Sequence, residues 1–251
     1  MASLISPDFT AFAKRWLSSF EKIGIPPYFT HISRFLRLLM TLSISPKTQI
    51  ASTELSAQNF LISRSRPSRW RKFKFSSFPT ISGTGPNGAI IHYKASKKSN
   101  RVLKKGDVYL VDSGGQYEFG TTDVTRTISL KNSDKRIKNI FTRVLKGHIA
   151  VANYKLKKNS SGSIIDGKAR KFLKQIGLNY SHGTGHGVGY FLNVHEGPHA
   201  ISKNNYVKFQ KGMILSNEPG YYEKNKFGIR IENLIFVKKE KDKNFFDNLT
   251  M

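Results

Sequence analysis

The sequence predicts an α+β domain made of two related halves. Three observations point there. Short apolar runs bounded by glycine or charge read as strands, two longer segments carry the period of an amphipathic helix, and one strand–turn–strand pattern with two acids occurs twice. The text changes character near residue 76, so two segments are expected: 1–76, an atypical basic leader without firm order, and 77–251, the folded domain. The end of the second segment, Phe245–Met251, reads as a stretch that breaks off early.

Within the leader, apolar clusters are short and prolines fall at Pro26, Pro27 and Pro46. The basic stretch from Arg64 to Lys74 contains Pro67, which interrupts a helix, and is expected to be a solvated linker. Beyond it, Ala89–Tyr93 and Asp107–Asp112 read as strands. Ser133 is placed as the cap of a helix whose apolar face is Ile137, Ile140, Phe141, Val144, Leu145 and Ile149. Ser163 with Asp166 opens a second helix through Ala169, Phe172, Leu173 and Ile176, and Gly177 stops it. A glycine-rich stretch, Ser181–Gly189, separates the helices from strands at Met213–Asn217 and Gly228–Val237.

Composition removes several chemistries. Cysteine is absent, which excludes disulfides, Cys-ligated zinc, iron–sulfur clusters and a thiol nucleophile. Any metal must be held by His, Asp or Glu. The longest apolar run, Phe35–Ile44, is broken by Arg37 and falls far short of the ~20 residues of a membrane span. Against 42 Lys and Arg stand only 16 Asp and Glu, a net charge of +26. The lysines run from Lys14 to Lys243 without one dominant block. That pattern fits a solvated surface better than a nucleic-acid interface, and a nucleic-acid partner is not expected.

The repeat carries the chemistry. Lys105-Gly106 precedes a strand that reaches Asp112, and Lys211-Gly212 precedes one that reaches Glu218. In each copy the acid lies six residues after the glycine. Each is followed by turn residues and a second acid-bearing segment, with Asp123 in one and Glu232 in the other. Asp123, Thr125 and Thr127 share one strand face, as do Arg230, Glu232 and Leu234. Four carboxylates gathered in apolar surroundings are prohibitive without cations to offset them. With one histidine from the glycine-rich stretch, the donor set suits Mn, Co or Zn in a binuclear cage. Two rival motifs fail on context. Gly83–Gly88 matches G-x-G-x-x-G, but a strand is expected after it where a dinucleotide site needs a helix. Ser181 and Ser216 lack the G-x-S-x-G setting of a hydrolase nucleophile.

Seven motifs in order resemble aminopeptidase P, the Xaa-Pro aminopeptidase branch of the pita-bread metallopeptidases. They begin with Phe78–Tyr93, Val111–Tyr117, Gly120–Thr127 and His182–Gly189. Asn193–Pro198, Asn217–Tyr222 and Gly228–Asn233 complete the series. The resemblance implies a pita-bread (creatinase/aminopeptidase) fold whose pseudo-repeated halves surround a binuclear metal site. It implies Asp112 as a ligand to one metal, His186 and Glu218 to the other, and Asp123 and Glu232 bridging both. It further implies His92, His182 and His195 as substrate-pocket histidines, His92 and His195 with a part in catalysis beside Glu218, and Arg230 as a substrate-side arginine. His148 and His199 match no role.

The function that follows is metal-dependent release of the N-terminal residue from peptides with proline second. Two divalent ions are expected as cofactors, Mn first, with Zn or Co as alternatives. An Xaa-Pro peptide is the expected partner, a homodimer a possible assembly and the cytoplasm the expected location. Two other readings remain at this level: a related dipeptidase, and an inactive module of the same fold that binds RNA or another polyanion.

Overall fold

In the computed structural model, residues 73–129, 134–191, 193–241 and 243–250 are described. The first half centres on an antiparallel sheet ordered β2–β3–β6: β2 is Ile81–Thr84, β3 Val108–Ser113 and β6 Val124–Ser129. The second half centres on β10 (Ile214–Asn217) paired antiparallel with β13 (Asn233–Glu240), in register from Ile214 opposite Phe236 to Asn217 opposite Asn233. A small hairpin interrupts each pair. It is β4 (Gly115–Tyr117) with β5 (Gly120–Thr121) in the first half, and β11 (Gly220–Glu223) with β12 (Phe227–Arg230) in the second. The duplicated pattern is therefore a structural repeat. In each half one acid ends the first long strand and another opens the second.

Around β10 and β13 the second half extends to six strands, ordered β7–β14–β13–β10–β8–β9. The outer members are β7 (Lys155–Leu156), β8 (Gly185–Val188), β9 (His195–Ile201) and β14 (Lys243–Asn248). Phe245 and its neighbours thus form a strand between β13 and β7, and Phe246 reaches the core. Phe73–Ser76, on the leader side of the expected boundary, is strand β1, paired with β4. The rest of the basic stretch, from Arg64 to Lys72, lies outside the described residues.

Among the described residues, two helices cover the strands, α1 (Lys135–Ala152) and α2 (Gly162–Lys174). Asp134 caps α1, its carboxylate accepting from the Ile137 N–H at 2.7 Å; Ser133 lies outside the described residues. The buried face is Ile140, Val144, Gly147, His148 and Val151, whereas Ile149 is 38% exposed. The reason is Gly147. A Cβ there would come within 2.4 Å of the Ala169 carbonyl oxygen, so the bare backbone lets α2 approach and fixes the seam on that side. At α2 the structure replaces the expected cap. Ser161 is the N-cap, its hydroxyl bonded to Ser163 Oγ and not to a helix N–H, and Asp166 is buried, bonded to Arg170 and Thr184.

Two further readings change. Ala89–Tyr93 is not a strand: Gly85–Ala89 is a 3₁₀ turn, and Asn87 ties it down through Tyr93 and the Ser99 carbonyl. The run Gly228–Val237 is two strands broken at Ile231-Glu232, where Ile231 N–H turns to the Pro219 carbonyl and Glu232 N–H to that of Thr125. The core has one cluster between the two helices and the six-stranded sheet, including Val151 of α1 and Ile165, Leu215, Ile235 and Val237. Another, with Ile140, Val144, Leu173, Tyr221 and Ile229, joins α1 to β12. Each such aliphatic side chain stabilises the fold by roughly 1.5–3 kcal/mol, and together they hold the two acid-bearing strand pairs against one helical layer.

Candidate metal centre

The repeat brings the predicted acids together. Asp112 projects from β3, Asp123 immediately precedes β6, Glu218 follows β10 and Glu232 precedes β13. Asp112, Asp123 and Glu232 are at most 7% exposed. His186 enters from β8. Its Nε2 lies 3.4 Å from Asp123 Oδ2 and 3.4 Å from Glu218 Oε1, while Nδ1 donates to the Gly187 carbonyl at 2.8 Å. That second bond leaves Nε2 of the neutral ring with its lone pair toward the acids. Single donor atoms of Asp123, His186 and Glu232 all lie within 4.8 Å of one another. The break at Ile231-Glu232 makes this possible, because it frees the Glu232 backbone from its own hairpin and pins it to β6.

Arg230 connects the two halves. It is 2% exposed and uses each arm of its guanidinium. Nη2 donates to Asp112 Oδ2 at 2.6 Å, Nη1 to the Tyr222 hydroxyl at 2.8 Å and Nε to Thr125 Oγ1 at 3.1 Å. Thr125 in turn donates to Glu232 Oε2 at 2.6 Å. A bond chain therefore runs from Asp112 through Arg230 and Thr125 to Glu232. Thr127, on the same strand face, bonds the Arg230 backbone in both directions. Arg126 Nη1 adds a 2.6 Å bond to the Glu232 carbonyl.

The glycine-rich stretch is held from beneath by α2. Arg170 donates to Asp166 and to the carbonyls of Tyr180 and His182, and its guanidinium carbon lies 4.0 Å from the Tyr180 ring centroid. Thr184 donates to Asp166 Oδ1 at 2.6 Å, and its carbonyl accepts the Glu218 N–H at 2.7 Å. A buried ion pair on α2 thus fixes the segment between His182 and His186 and the backbone of Glu218. Glycine is required inside this segment. A Cβ on Gly185 would sit 2.0 Å from the Ser216 carbonyl oxygen.

The three further histidines are placed differently. His182 Nδ1 bonds the Gly183 carbonyl at 2.7 Å and Nε2 lies 2.9 Å from the Tyr222 hydroxyl. A carbonyl only accepts, so Nδ1 carries the hydrogen and Tyr222 donates to Nε2 of the neutral ring. Burial first, then the charges of Arg230 and Arg170, bring His182 down to about 4 against the opposing bond to the Gly183 carbonyl, so the ring is neutral. His195, at the start of β9, packs edge-on against His186 with ring centroids 4.2 Å apart. Burial and the charge of His186 lower its pKa. His92 is exposed in the turn after the 3₁₀ segment, and its charge disfavours protonation of both His182 and His195.

The electrostatics call for cations. Burial pushes Asp112 up to about 6, with Arg230 opposing and Asp123 adding repulsion. Burial pushes Glu218 up to about 7, with His186 and Arg230 opposing. Glu232 rises well above the usual carboxylate range through burial and repulsion from Glu218, Asp123 and Asp112. Burial opposes charge on His186, yet Asp123 and Glu218 hold its pKa above the ordinary value. Asp112 Oδ1 is buried with no hydrogen-bond partner among the described residues. Four carboxylates, one imidazole lone pair and an orphaned carboxylate oxygen fit hard divalent cations in kind and in placement. Sequence reasoning missed Tyr222, Thr125 as a donor to Glu232, and the Asp166–Arg170 pair. Thr125 had a signal in its shared face with Asp123, and Asp166 with Arg170 had one in their i,i+4 spacing on the expected helix; Tyr222 had none.

Comparisons with known proteins place the fold in a family. The model of metallopeptidase family M24 matches residues 34–239. A probable Xaa-Pro aminopeptidase P of Laccaria bicolor is 52% identical over 190 residues, covering 71% of this chain and 30% of the relative. The chain thus spans less than a third of that relative's length. Among solved structures, the X-prolyl aminopeptidase of Caenorhabditis elegans, described as a cytosolic enzyme with a di-nuclear active site, is 42% identical with a TM-score of 0.67. It covers 71% of this chain and 30% of that one. An Xaa-Pro dipeptidase from Bacillus anthracis superposes with a TM-score of 0.71 at 28% identity, covering 86% and 56%. With its repeated acid hairpins and the pita-bread architecture of these neighbours, the chain belongs to metallopeptidase family M24.

Proposed function

We propose that this chain carries the catalytic centre of a metal-dependent aminopeptidase that releases the N-terminal residue from peptides with proline second. The observation that carries the reading is the meeting of acids from two repeated hairpins with His186 of β8: Asp123, His186 and Glu232 cluster, Glu218 faces His186, and Asp112 is joined to them through Arg230. Asp112 would hold one ion, His186 and Glu218 the other, and Asp123 and Glu232 both. Mn is the first candidate, with Zn or Co as alternatives. Two such ions would bring the pKa of a bound water from 15.7 toward ~7 and polarise the scissile carbonyl.

The chain's own groups supply the rest. Glu218 accepts the proton and returns it to the leaving prolyl nitrogen; Ser216 Oγ, 3.0 Å from Glu218 Oε1, orients that carboxylate. His195 and His92 donate hydrogen bonds to the substrate and to the oxygen on which charge develops. Tyr222 holds His182 as a fixed wall of the pocket, with Arg230 keeping Tyr222 and Asp112 in place. A bond to proline is a tertiary amide without N–H, so such a pocket selects it by shape. The names of the relatives support the substrate class, and the cytosolic description of the C. elegans enzyme supports a cytoplasmic location.

The B. anthracis neighbour motivates a second reading, an Xaa-Pro dipeptidase. Turnover of Ala-Pro against Ala-Pro-Ala separates the two. The aminopeptidase reading predicts alanine release from the tripeptide by Mn-loaded protein and none after chelation. No release from the tripeptide with Mn, Co or Zn would reject it.

A further inference from the structure

An exposed aromatic ledge lies where loops from the two halves meet beside the centre. Phe75 of β1 is 51% exposed, Tyr190 52% and Phe191 43%. Their rings interlock edge to face: Phe75 to Phe191 at 5.7 Å and Phe191 to Tyr190 at 5.0 Å between centroids. Solvent-facing aromatics that form one contiguous surface mark binding sites far more often than scattered ones do.

The ledge is a built feature. Phe191 has φ 59°, a conformation that a bulky side chain adopts only when its surroundings impose it. Its N–H donates to Gln116 Oε1 at 3.2 Å. Gln116 is 3% exposed, and its amide donates to the Tyr117 and Gly120 carbonyls, clamping the β4–β5 hairpin. The Tyr190 hydroxyl donates to the Glu118 carbonyl of the same hairpin. Two loops from different halves are thus tied together so that the rings stay outside.

Both loops lead to the proposed ligands. The β4–β5 hairpin runs directly into Asp123. The 189–194 loop joins β8, which carries His186, to β9, which starts at His195, and Val188 opposite His195 is its last strand pair. Phe191 stands three residues from that pair, at most ~10 Å of extended chain. An extended peptide covers the same span in about three residues.

We propose that this ledge binds apolar or aromatic side chains of the substrate two to four positions beyond the scissile bond, and so selects longer peptides with apolar residues after the proline. The inference rests on the aminopeptidase reading and names the substrate class for it. Mn-loaded protein should cleave Ala-Pro-Phe-Phe faster than Ala-Pro-Gly-Gly by roughly three- to tenfold in kcat/KM, the range one or two aromatic contacts supply. Phe191→Asn keeps a residue that tolerates positive φ while removing the ring, and Phe75→Thr does the same for the strand. Each should bring that ratio toward one. A ratio near one in the wild type, or a preference that survives both substitutions, would overturn the ledge. A second arm does not depend on turnover. Ala-Pro-Ala carrying a benzoylphenylalanine at its C-terminal end is photolysed on the protein and adducts are mapped by mass spectrometry. Adducts at Phe75, Tyr190 or Phe191 support the ledge even if no peptide is cleaved, in which case the aminopeptidase reading alone fails. Adducts confined elsewhere reject the ledge with cleavage intact.

Discussion

Arg230 shows how one side chain can set the properties of a charged cluster. Its guanidinium is bonded to Asp112, Tyr222 and Thr125, and through Thr125 it reaches Glu232. Arg230→Met removes a buried cation and leaves Asp112 without its ion-pair partner. Unpairing a buried ion pair costs about 3–5 kcal/mol, so urea denaturation of metal-free protein should show a loss of that order; a loss below about 1 kcal/mol would show that the pair is dispensable. At Glu218 the expected effect is on chemistry. Glu218→Gln keeps an oxygen that can ligate but cannot carry a proton, so turnover of an Xaa-Pro peptide should fall by roughly 10²-fold or more, while bound Mn falls much less. Near-wild-type rates would remove Glu218 from the mechanism. The acids were legible in the sequence because acids are scarce here and these four repeat in strand context. Tyr222 was not, since a tyrosine in a turn has many uses and its bond to Arg230 is set by tertiary placement.

Helix α1 ties the outer layer to the acid-bearing strands through His148. The imidazole Nδ1 donates to the Asn217 carbonyl at 3.0 Å, and Asn217 Nδ2 donates back to the His148 carbonyl at 3.0 Å. Asn217 is the residue before Glu218, so the helix fixes the end of β10. Burial first, then the charge of Arg126, brings His148 down to about 4 from an ordinary 6.5. The folded-state pKa is lowered, so the unfolded chain takes up the proton first as pH falls. The stability that neutral His148 contributes is therefore present above about pH 6.5 and is lost progressively toward pH 4, by up to about 3 kcal/mol. His148→Leu should be less stable than wild type at pH 7, and the gap should shrink by that order at pH 4 in urea titrations; a gap independent of pH would contradict this. Periodicity alone located α1 but turned it slightly, placing Ile149 inward. It does not register that glycine at 147 admits a neighbouring helix. The reading of Ala89–Tyr93 as a strand failed similarly. Its apolar run is short, and what holds the segment as a turn is the Asn87 amide, which donates to the Tyr93 hydroxyl and the Ser99 carbonyl, contacts that an apolar pattern does not register.

At the scale of the molecule, two hairpins of like design face one another, and the acids at their strand ends lie together only because both halves fold. The fold class and the pairing of the halves were legible from that repeat. Its extension to a six-stranded sheet through β14 was not, because Lys243–Asn248 alternates weakly and becomes a strand only against β13 and β7. The net charge of +26 does not oppose the centre: basic side chains such as Lys138, Lys146, Lys168 and Lys171 are exposed on the helices, while the acids lie inside. Among the described residues, no helix is long and apolar enough to cross a membrane. The central claim is that this interior is a binuclear metal site, and metal stoichiometry tests it most directly. Apo protein is titrated with Mn, and bound metal per chain is counted after gel filtration for wild type, Glu232→Gln and His148→Leu. The account predicts two ions per folded wild-type chain, fewer than one in Glu232→Gln and two in folded His148→Leu, whose substitution removes no ligand. No retained metal in the wild type, or a full complement in Glu232→Gln, would contradict it.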